Sequence, residues 1–127
     1  MFQPTASFSS FSVDDVEKAR AFYGGTLGFQ VADQMGGLNI TLPGGQRVYA
    51  YPKPNHEPAT FTVLNFQVDD LDAGIAQLAE LGVSLEKYPA TPEMPVDENG
   101  VLRDPESGMG IAWFKDPAGN VLSVMSQ

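Results

Sequence analysis

The sequence contains no cysteine. That absence excludes a disulfide framework, a thiolate metal site and a cysteine nucleophile, and it fits a reducing compartment. Basic residues are scarce: seven Lys and Arg stand against sixteen Asp and Glu, for a net charge of -9. Nucleic-acid binding needs a basic footprint, so no nucleic-acid partner is expected. An acidic surface keeps a protein soluble, and it would also attract a cationic ligand. No apolar run approaches the ~20 residues needed to cross a bilayer. The opening residues Met1-Phe2-Gln3-Pro4-Thr5 have neither the basic nor the apolar part of a signal peptide. A cytoplasmic protein without a membrane partner is therefore expected. Histidine occurs once, at His56 in a proline-rich stretch, where a solvent-exposed linker residue is expected.

What the chain does have is size, apolar content and a repeat. Its 127 residues are the length of one domain, and 43% of them are hydrophobic, enough for a real core. Val13-Asp14-Asp15-Val16 recurs as Val68-Asp69-Asp70-Leu71, and Phe11 matches Phe66 at the same offset. Each copy continues through a helical pattern into a glycine, as Leu27-Gly28-Phe29 and Leu81-Gly82-Val83. The turn Pro43-Gly44-Gly45-Gln46 has its counterpart in Pro117-Ala118-Gly119-Asn120, but at a longer offset. The second copy thus carries about nineteen extra residues, placed in 88–110, which reads as a long acidic loop. Residues 1–51 form module one, the proline-rich 52–58 a linker, and 59–127 module two.

Each module reads β-α-β-β-β. Phe8 to Val13 and Thr60 to Val68 are rich in β-branched and aromatic residues and are expected to be strands. Alternation puts Ser9, Phe11 and Val13, with Leu64, Phe66 and Val68, on one face, and Phe8, Ser10 and Ser12, with Val63, Asn65 and Gln67, on the other. The first helix is expected to start at Asp14 or Asp15, with Asp14 and Glu17 at capping-box spacing, and to end at Gly24-Gly25. The second starts near Asp69 or Asp70, carries the stripe Leu71, Ile75 and Leu78, and ends at Gly82. Further strands are expected at 30–35, 38–42 and 47–51, and at 84–88, 109–115 and 121–125. Each helix covers one face of its strands, leaving the other to line a cavity.

The opening Val13-Asp14-Asp15-Val16, Ala21-Phe22-Tyr23 and Leu27-Gly28-Phe29, with the closing Phe114-Lys115-Asp116-Pro117-Ala118-Gly119-Asn120, resembles the vicinal-oxygen-chelate family, which includes the glyoxalases and bleomycin-resistance proteins. The resemblance covers nearly the whole chain. It implies an α+β fold of two tandem βαβββ modules whose curled mixed sheets enclose a cleft. It also implies a homodimer, in some members with modules exchanged between chains. Enzymes of the family hold a divalent metal on cleft-facing strand positions. Carried over, these fall on Phe8, Tyr49, Val63 and Ser123. Phe8 and Val63 have no lone pair to give, and Ser123 and Tyr49 alone do not make a site. No metal and no cofactor are therefore expected.

The expected ligand-binding residues are Phe8, Ser10, Tyr49, Tyr51, Val63, Asn65, Trp113 and Ser123, with Trp113 in either the cleft or the core. Such a wall suits an organic small molecule held by stacking and hydrogen bonds. The loop acids would form either a lid over the cleft or a solvated surface, with Glu93 or Asp97 the candidates for proton transfer. Gly36-Gly37 and Gly44-Gly45 lack the context of a phosphate loop. Three functions stay open: a metal-free binding protein that sequesters a small molecule, a metal-dependent lyase, isomerase or dioxygenase, and an accessory module with a vestigial cleft.

Overall fold

The computed structural model describes all 127 residues. They form two compact units, Met1–Pro58 and Ala59–Gln127, hereafter modules one and two.

Module one runs β1 (Ser9–Val13), α1 (Val16–Arg20), a π-helical turn (Ala21–Thr26), β2 (Gln30–Gln34), β3 (Gly37–Thr41) and β4 (Arg47–Pro52). Module two runs β5 (Thr62–Gln67), α2 (Leu71–Glu80), β6 (Val101–Arg103), β7 (Gly110–Lys115) and β8 (Val121–Ser126). The sheet orders, β1-β4-β3-β2 and β5-β8-β7-β6, are the same topology written twice. In each the first strand lies parallel to the last and the other pairings are antiparallel. The repeat in the sequence is thus a repeat of structure, and the fold is α+β as expected.

Both helices start on the second aspartate of the repeated pair. Asp15 is extended, so its carboxylate accepts from Glu17 N at 2.9 Å and Lys18 N at 3.2 Å. Asp70 accepts from Ala73 N at 3.2 Å. This corrects the Asp14–Glu17 capping box: only the last non-helical residue can reach the unpaired amides of the first turn. Nor does Gly24-Gly25 end the first helix. The helix widens at Ala21 into the π-helical turn, which runs on through both glycines, and Leu27 N reaches back to Phe22 O at 2.8 Å. A side chain on Gly24 would meet Val31 of β2 at 2.9 Å, so the missing Cβ lets the strand lie against the helix. Gly82, at φ 82°, does close α2.

Alternation sorts the core correctly. In module one Phe11, Val13, Leu38, Ile40, Val48 and Ala50 are buried together with Ala19 and Tyr23 of the helical segment. In module two Leu71, Ala112, Phe114, Leu122 and Val124 are the equivalent set. The closing turn owes its shape to Asp116, whose buried carboxylate accepts from Ala118 N at 3.0 Å, Asn120 N at 2.8 Å and Asn120 Nδ2 at 3.1 Å.

Two strand expectations need correction. Ser84 to Tyr88 is not a strand; it touches the β7 edge through a single backbone bond, Glu86 N to Trp113 O at 2.7 Å. The strand that takes β2's place is β6, Val101–Arg103, inside the segment read as loop, and it occupies the β7 edge from Gly110 to Ala112. Three residues suffice there because only that length of edge is left. The rest of the segment is built from local turns: Thr91 N bonds Met94 O at 3.0 Å, and Asp97 N bonds Val101 O at 2.9 Å. No helix is long and apolar enough to cross a membrane.

Candidate functional site

The sheet face opposite each helix carries the expected site residues. In module two, register places Asn65, Ser123 and Trp113 in one cross-strand row. Ser123 is fully buried, and its hydroxyl donates to Asn65 Oδ1 at 2.5 Å. Val63 is not in the pattern that alternation gives it. The ladder is irregular between Thr62 and Leu64, so Thr62 faces Val121 while Leu64 faces Leu122. This bulge brings Thr62 onto the open face, where its hydroxyl accepts from Trp113 Nε1 at 3.2 Å.

Beside that row lies an open groove of about 550 Å³, lined by Thr60, Phe61, Thr62, Tyr88, Pro89, Thr91, Met94, Trp113 and Val121. Trp113 is therefore a groove residue. Tyr88 meets it edge-on, with ring centroids 5.8 Å apart. Every lining side chain is uncharged. Tyr88, Met94, Phe61 and Thr62 are site residues that the sequence pattern does not reveal, because they come from a bulge, a strand end and a loop, where alternation says nothing about direction.

In module one, Ser10 faces Tyr49 and Ser12 faces Tyr51, and the two tyrosine rings stack with centroids 6.1 Å apart. Phe8 and Tyr49 line a smaller hollow of about 100 Å³ with Gln34, Met35, Asn39 and Arg47. Ser10 and Tyr51 share the face but do not line the hollow. Tyr49 is fixed at both ends. Its hydroxyl donates to Met35 O at 3.0 Å, and its ring lies over Gly37, where a Cβ would come within 2.8 Å of it. His56 is not the solvent-exposed residue expected of a linker. It is half-buried, and its Nδ1 lies 2.7 Å from Ser12 Oγ in a hydrogen bond. The prolines around it bend the segment back onto its own module.

A divalent metal does not fit the positions where the family holds one. Phe8 and Val63 offer no donor, the Tyr49 hydroxyl proton is engaged by Met35, and Ser123 is held by Asn65. Nowhere do three or more His, Asp or Glu side chains gather closely enough to grip an ion.

The loop acids do not line the groove. Asp97 is a turn residue: backbone hydrogen bonding from Val101 above all, with Asn99 N also donating at 2.8 Å, holds its carboxyl below the usual aspartate range. Asp104 is lowered in the same sense, chiefly by the Ser107 hydroxyl at 2.8 Å. A carboxylate stabilised in its charged form is a weak base, which corrects the proton-transfer expectation for Asp97. A depressed folded pKa stabilises the turn at pH above the unfolded value of about 3.9, and that support is lost as pH falls through the folded value. The Val101 amide resonance should accordingly titrate with a midpoint below about 3.9, and Asp97→Asn should remove that transition. A midpoint at or above the ordinary value would mean the turn does not hold the charged form.

Comparison with known proteins agrees with this architecture. The family model described as Glyoxalase/Bleomycin resistance protein/Dioxygenase superfamily matches residues 6–124. Among solved structures, the chain is similar to a lactoylglutathione lyase from Agrobacterium tumefaciens, with a TM-score of 0.64, 20% identity, and 97% of this chain and 94% of that one covered. It is similar to a glyoxalase family protein from Enterococcus faecalis, with a TM-score of 0.66, 21% identity, and 97% and 96% covered. It is also similar to a genomically encoded fosfomycin resistance protein from Listeria monocytogenes, with a TM-score of 0.67, 15% identity, and 99% and 95% covered. A search of curated proteins finds no match. Likeness at these identities speaks for the fold and not for a shared activity. With nearly its whole length matched by the family model, the chain belongs to the glyoxalase, bleomycin-resistance and dioxygenase superfamily.

Proposed function

We propose that the protein binds an uncharged, largely aromatic small molecule in the groove of module two, without a metal. The observation that carries this reading is the groove itself. Its volume of about 550 Å³ is within the usual range for small-molecule sites, and Trp113 and Tyr88 present ring faces at right angles. Its polar lining groups are the threonine hydroxyls and the Tyr88 phenol, the indole N–H being already donated to Thr62. These can orient a neutral ligand but cannot neutralise an ion. The cationic ligand suggested by net charge is not favoured, because none of the acids lies in the wall. Lyase, isomerase and dioxygenase readings need a Lewis acid or a base, and the lining supplies neither.

Trp113 is the chain's one tryptophan, so its fluorescence reports on the groove alone. Titration with 2-naphthol, coumarin and indole should give saturable quenching with at least one of them, unchanged by a chelator. The same compound should raise the melting temperature, as any ligand of the folded state does. Trp113→Ala should weaken that thermal stabilisation about tenfold in apparent affinity, or roughly 1.4 kcal/mol. If none of the three quenches or stabilises, the reading fails. If quenching needs a divalent ion, the metal-dependent reading replaces it.

A further inference from the structure

We propose that the hollow in module one is a carboxylate site, with Arg47 as its cation and a short monocarboxylate as its ligand. Arg20 is paired with Glu17 and Asp33, and Arg103 with Asp72, but Arg47 has no carboxylate within ion-pair distance. Of the three arginines it is the one without an ion pair, and it is the only cation that lines the hollow. Strand alternation keeps acids away from it. Asp33 faces Leu38 on the helix side of the sheet and is engaged by Arg20, while its neighbour Gln34 turns into the hollow.

The remaining lining suits an acid with a short apolar tail. Asn39 and Gln34 bring side-chain amide donors, and Phe8, Met35 and the Tyr49 ring form the apolar wall. Phe8, 61% exposed, and Met35, 91% exposed, are apolar side chains left open to such a tail. Met35 sits at φ 48° in the two-residue turn between β2 and β3, a conformation that few side chains other than Asn or Asp adopt. The turn both delivers the carbonyl that holds Tyr49 and sets Met35 at the rim of the hollow.

A guanidinium fork matches a carboxylate with two parallel N–H donors. One arginine without a cluster of backbone amides does not match a doubly charged phosphate. At about 100 Å³ the hollow is much smaller than the usual drug-sized pocket, which favours a short-chain ligand.

The test uses the full-length protein labelled with nitrogen-15 and titrated with butyrate. Arg47 Nε and the side-chain amides of Asn39 and Gln34 should shift together and saturate in the millimolar range. Butyramide, the neutral isostere, should bind at least tenfold more weakly, and inorganic phosphate should do no better than butyramide. Arg47→Gln should lose butyrate binding with its melting temperature unchanged, since Arg47 is an exposed residue at a strand start. Arg47→Lys should bind, but less well. Equal binding of butyramide or phosphate overturns the proposal, as does undiminished binding by Arg47→Gln. Should Arg47→Gln fold poorly, the wild-type comparison of butyrate with butyramide still decides. The readout resonances all lie in module one, so the outcome is independent of the module two groove.

Discussion

Phe114→Ala is expected to lower the free energy of unfolding by about 3–5 kcal/mol. Phe114 is the penultimate residue of β7 and is only 1% exposed. Its ring stacks on Phe66 of β5, centroids 6.3 Å apart. Removing it takes away apolar area and leaves a cavity, because the backbone ladder with β8, where Phe114 pairs with Leu122, keeps the sheet from collapsing into it. Urea denaturation followed by circular dichroism measures the loss as a lower midpoint at an unchanged slope. A cost under about 1 kcal/mol would mean that the sheet-to-helix interface of module two is not its core. Phe114 and Trp113 are neighbours pointing to opposite faces, so this variant also separates stability from binding. Refolded protein should keep the groove's quenching response at temperatures where it stays folded.

Gly100→Ala is expected to cost about 2–4 kcal/mol, although it adds a single methyl group. Gly100 has φ 89°, which an alanine tolerates poorly. A Cβ there would also lie 2.5 Å from the carbonyl oxygen of Glu86, a backbone atom that cannot swing aside. Glu86 is the residue whose amide bonds Trp113 O, and two residues on is Tyr88. Displacing Glu86 would therefore pull the Tyr88 ring off Trp113 and open the groove wall. Denaturation reads the stability loss, and tryptophan emission should move to longer wavelength as the indole gains water. A variant with wild-type stability and emission would show that the 86–100 contact is not needed to shape the site.

Short-range features are legible in the order of residues itself. The repeated Val-Asp-Asp locates both helix starts, because a cap acts over three residues. Asp116-Pro117-Ala118-Gly119-Asn120 announces its turn, because the carboxylate bonds amides within its own loop. Alternation assigns Phe11 and Val13 to the core, and places Ser10, Tyr49 and Tyr51 on the opposite face, because neighbouring strand residues must point opposite ways. The wrong donors at Phe8 and Val63 are likewise visible as residue types.

The tertiary structure decided what depends on partners distant in sequence. Nothing near Val63 marks the bulge; it arises where β5 is matched to β8 and the count of residues on the two strands differs. Nothing in 84–88 says that it loses the β7 edge to 101–103, since either extended segment has amides to offer. Arg47 looks like any surface cation until the folded sheet places it in a hollow whose lining has no acid, with Asp33 on the opposite face and paired to Arg20. Caps, turns and alternation are set by covalent neighbours a few bonds apart, so residue order alone determined them. Edge pairing, bulges and the gathering of a pocket lining are contests between distant segments, and only the completed packing determines which one wins.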